Sequence, residues 1–163
     1  HLALGAVNKL TKNNRSIVFK VKIIMSLLAL IETIERTALK QPAIAFSAGD
    51  SVPSDAISSE AGNGVFAFAQ RQHAGSVELD GVSFGFSLYY IGANDAGGDR
   101  HLEIQSTGLS ALSDILNELA GMGIGVGEYM FEVFNDGVIN GGAGVRCDVV
   151  LEVSTDWDAS QYV

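Results

Sequence analysis

From Val82 to Tyr90, apolar and small residues alternate. Val82, Phe84, Phe86, Leu88 and Tyr90 fall on one side of an extended chain, and Ser83, Gly85, Ser87 and Tyr89 on the other. A period of two predicts a strand with one buried face, and the reading extends to one long strand over residues 76–91. The rhythm returns over 145–153, where Cys147, Val149, Leu151 and Val153 alternate with Asp148 and Glu152. Residues 64–70 (GVFAFAQ) and 128–135 (EYMFEVFN) predict two further strands, and DGVINGGAG before the last strand supplies a hairpin connection. NDAGGD at 94–99 reads as a turn, and 101–105 as the close of the strand region or the lead into a helix.

Two segments carry helical spacing instead. Over 26–40, Leu27, Ile31, Ile34 and Ala38 form one stripe with Leu28 and Leu39 beside it, while Glu32, Glu35 and Arg36 take the wet side. Ser26 is placed to cap this helix, and Gln41-Pro42 ends it, because proline disfavours the helical region for its predecessor. Over 109–120, Leu109, Leu112, Ile115, Leu116 and Leu119 make an apolar face, with Thr107 or Ser110 as cap. Residues 47–64, rich in Ser, Gly, Asp and Ala, read as a long loop. The order helix, two strands, helix, two strands predicts an α+β fold: a mostly antiparallel sheet with two main helices packed on it.

One strand has apolar groups on both faces. Tyr129, Phe131 and Val133 oppose Met130 and Phe134. Such a strand must be covered on both sides, and 163 residues supply little material for that. A second copy is the expected cover, which makes Tyr129, Phe131 and Val133 candidate assembly residues.

Charge divides the chain at Met25. Residues 1–24 hold five cations (Lys9, Lys12, Arg15, Lys20, Lys22) and no acid; the remainder holds 19 acids and five bases, a formal −14. This predicts a basic arm over 1–24 attached to a single acidic domain over 25–163. Within the arm, IVFKVKII at 17–24 alternates Phe19, Val21 and Ile23 with Lys20 and Lys22, so it can pair as a strand, and these three apolar residues join the candidate assembly surface. The apolar run 21–31 follows a basic stretch as in a secretory leader. Glu32, Glu35 and Arg36 then follow at once, no small-residue cleavage site appears, and the run is too short to span a bilayer. No membrane partner is expected, and Met25 reads as the natural start of the domain.

A net charge of −9 argues against nucleic-acid binding by phosphate neutralisation. A lone Cys147 excludes an internal disulfide framework and a cysteine-based zinc site. Gly81-Val82-Ser83-Phe84-Gly85 matches the hydrolase pattern G-x-S-x-G, but it lies inside an alternating strand and not at the strand-to-helix turn that exposes a nucleophile. GMGIGVG (121–127) follows a helix and precedes a strand, the reverse of a dinucleotide loop, and reads as a helix C-cap. His1, His73 and His101 lack metal-ligand spacing, and the pairs Asp95/Asp99 and Asp156/Asp158 read as turn residues. No catalytic residue, metal or cofactor is expected. The rival reading is a small α+β enzyme or ligand-binding protein with a pocket near Tyr89, His101 and Glu103.

The opening amphipathic helix, the strand ending FSLYYIG (86–92), the middle helix GLSALSDILNELAG (108–121) preceded by IQSTG (104–108), and the closing AGVRCDVVLEV (143–153) follow one another in an order that resembles the tail-terminator (tail-completion) and head-tail joining proteins of long-tailed bacteriophages and prophages. The resemblance covers about residues 25–153, and the basic arm has no counterpart in it. It implies a virion structural protein without catalysis. Such a protein assembles as a homo-oligomeric ring, commonly a hexamer, at the end of the tail tube. Its partners are copies of itself and other tail and connector proteins, with no specific nucleic-acid binding. It is placed in the virion, and in the host cytoplasm during assembly. A tail-tube or neck-ring subunit is the alternative within that class.

Overall fold

A computed structural model of the protein describes residues 26–41, 45–49, 66–93, 100–135 and 142–162. Helix α1 (residues 26–38) is followed by strands β1 (Ala45–Gly49), β2 (Phe66–Val77) and β3 (Gly81–Ala93). Helix α2 (Arg100–Gly121), strands β4 (Gly125–Asn135) and β5 (Gly142–Ser154) and a short 3-10 turn (Ala159–Tyr162) complete the order. The strands form one sheet, ordered β1-β2-β3-β5-β4. The β1–β2 pairing is parallel and the others are antiparallel. The fold is α+β, a mostly antiparallel mixed sheet with two helices.

The alternation in β3 and β5 does what its period demands. Val82, Phe84, Phe86, Leu88 and Tyr90 pair across with Val153, Leu151, Val149, Cys147 and Val145, and all ten are buried on the face that carries the helices. Helix α2 contributes Ile104, Ala111, Leu112, Ile115, Leu116 and Leu119 to this core, and α1 contributes Leu30, Ile34 and Ala38. The α1 stripe is therefore rotated from the sequence expectation. Leu30 is its centre, Leu27 and Ile31 are only partly buried, and buried Thr33 and Thr37 donate their hydroxyls to the carbonyls of Ala29 and Thr33, both at 2.7 Å. That bonding satisfies polar groups that would otherwise be costly in a core.

Several boundaries differ from those the pattern predicts. Residues 76–91 are not one strand: a tight turn at Glu78-Leu79-Asp80 separates β2 from β3, closed by the Glu78 amide on the Gly81 carbonyl at 2.9 Å. Residues 45–49 form β1, so among the described residues three strands rather than two precede α2, and the start of the expected 47–64 loop is strand; 50–64 lie outside the described residues. Helix α2 begins at Arg100, so residues 101–105 are helical and neither Thr107 nor Ser110 is a cap. Leu109, expected on the apolar face, is 37% exposed. Ser26 is the first described residue of α1 and is already helical; the residues before it lie outside the described residues.

The helix passes through Gly108 because only glycine fits there. A Cβ would lie 2.8 Å from the Tyr90 ring and 3.0 Å from Val145. At its other end, Gly123 has φ +77. The Ile124 amide reaches back to the Leu119 carbonyl at 3.2 Å, and the Gly123 amide to that of Ala120 at 3.2 Å. This is the left-handed glycine cap expected of GMGIGVG. Trp157 braces the same turn by donating its indole N–H to the Met122 carbonyl at 2.9 Å.

Candidate functional site

Helix α2 packs on β3, β5 and β4. Two successive pairings on β4, Val126 with Leu151 and Tyr129 with Val149, are separated by a bulge; Phe131 then pairs with Cys147 and Val133 with Val145. Residues opposite one another in an antiparallel pair share a face. Val126, Tyr129, Phe131 and Val133 therefore stand on the helix side of the sheet. Met130, paired with Asp148, and Glu132, paired with Arg146, stand on the other.

The helix side is nevertheless open at β4. Tyr129 is 57% exposed and Val133 51%, while Phe131 is half-buried with its ring 5.6 Å from that of Tyr129. Between α2 and β4 runs a groove of about 290 Å³, with Ser113, Leu116, Asn117 and Ala120 on its helix wall and Val126, Tyr129 and Phe131 on its strand wall. On the reverse face Met130 is 61% exposed. β4 is an edge strand, pairing among the described residues with β5 alone. Gln105 of α2 donates to the Phe134 carbonyl at 2.9 Å, so α2 already holds one end of the edge.

The face away from the helices is polar and built of small residues. Ser87 donates to Asp148 at 2.6 Å, and Arg146 bridges Glu132 at 2.7 Å and Asp148 at 3.3 Å. A shallow depression of about 530 Å³ lies here, walled in part by His73, Glu128, Met130 and Asp148. The His73 imidazole has room because residue 85 is glycine: a Cβ there would meet the ring at 2.8 Å.

The sequence-derived candidates divide accordingly. Tyr129, Phe131 and Val133 come together on one open edge. Phe19, Val21 and Ile23 lie outside the described residues, as do Asp95 and Asp99. Met130 belongs to the same exposed edge, and its position opposite Asp148 could be found only once the register was known. The three residues of the rival reading, Tyr89, His101 and Glu103, are not brought together. His101 and Glu103 sit in the first turn of α2, whereas Tyr89 pairs with Ala69 and Arg146 on the opposite face of the sheet.

Ser83 is a mid-strand residue between Ser76 and Glu152. Asp158 accepts from the Ser160 hydroxyl at 2.7 Å and its amide at 2.9 Å, bonds that hold its carboxyl below the ordinary value. Burial, and then the charge of Asp148, push the Cys147 thiol up to about 12, so this core thiol is neutral and shielded. Among the described residues no group of three His, Cys, Asp or Glu is placed to hold a metal, and no helix is long and apolar enough to cross a membrane. No family model matches the chain, and no curated protein matches it.

Proposed function

We propose that this chain is a virion structural protein: a ring-forming tail terminator or head-tail joining protein that caps the tail tube of a long-tailed phage and docks to the connector. One observation carries the reading. The β4 edge presents Tyr129, Met130 and Val133, each more than half exposed, beside an open groove of mixed polar and apolar lining. An uncovered apolar edge is an aggregation hazard in a monomer. In a closed ring each copy covers the edge of the next, so the same surface becomes the subunit contact. The acidic balance of residues 25–163 suits a ring whose lumen passes DNA without retaining it. The partners in this reading are other copies, as a hexamer, together with tail and connector proteins. The protein works in the virion and is assembled in the host cytoplasm.

A tail-tube or neck-ring subunit would use the same edge. Electron microscopy of the purified full chain separates the cases: a terminator closes as single rings, whereas a tube subunit stacks into filaments. A protein that stays monomeric at high concentration would overturn the whole reading.

A further inference from the structure

We draw no further inference here: the strongest candidate, the open margin of β4 where Tyr129, Met130 and Val133 stand exposed beside the groove against α2, belongs to the assembly already proposed, and nothing in the structure shows what covers it.

Discussion

Gly108 sits where α2 descends onto β3 and β5, with no space for a methyl group between the helix backbone and Tyr90. Gly108→Ala should therefore cost about 1–3 kcal/mol by overpacking, read as a lower urea midpoint. This glycine also misleads a reader of sequence. With Ser106 and Thr107 it resembles a turn or cap, although its purpose is close helix–sheet approach. Leu116 is 6% exposed at the floor of the β4 groove, and Leu116→Asp should cost several kcal/mol by burying an unpaired charge; a variant that melts like the parent would refute the assigned helix face. Cys147 and Tyr90 predict a pH dependence. Burial raises the Cys147 thiol from 9.0 to about 12, and burial followed by the Glu103 charge raises Tyr90 above its ordinary value. Both groups keep protons in the fold that the unfolded chain releases earlier. Their contribution is complete below about pH 9 and is lost as pH rises toward 12, so urea midpoints should fall across that range.

At the level of elements, what was legible followed from local periodicity. β3 and β5 alternate strictly, and the residues that alternation placed inside are inside. The break between β2 and β3 was hidden because Val77 and Leu79 continue an alternation up to the turn, although Leu79 is 97% exposed at its tip; the flip of phase at Asp80-Gly81 was the available signal. β1 (AFSAG) carries no pattern of its own, and its parallel partner β2 begins well beyond it in sequence, so it could not be read locally. The glycine cap of α2 was readable because helix, glycines and strand follow in the required order. Gly123→Ala should cost about 1 kcal/mol from its left-handed backbone, and more because a Cβ would come within 3.0 Å of the Tyr162 hydroxyl. Thermal melts report the loss. That β4 is apolar on both faces was evident from EYMFEVFN; that it is an edge required the register.

At the scale of the whole molecule, the described residues bury one core between two helices and one side of a sheet, and they leave the β4 margin uncovered. Removal of residues 1–24 should leave the circular dichroism spectrum of the body unchanged while light scattering shows smaller assemblies; loss of folding would place the stretch in the core instead. The account depends most on whether Tyr129, Met130 and Val133 are covered by another copy of the chain. Sedimentation of the full chain over a wide concentration range measures this directly. The account predicts a discrete closed oligomer that Val133→Lys reduces to smaller species. A monomer at every concentration, with Val133→Lys behaving as the parent does, would contradict it.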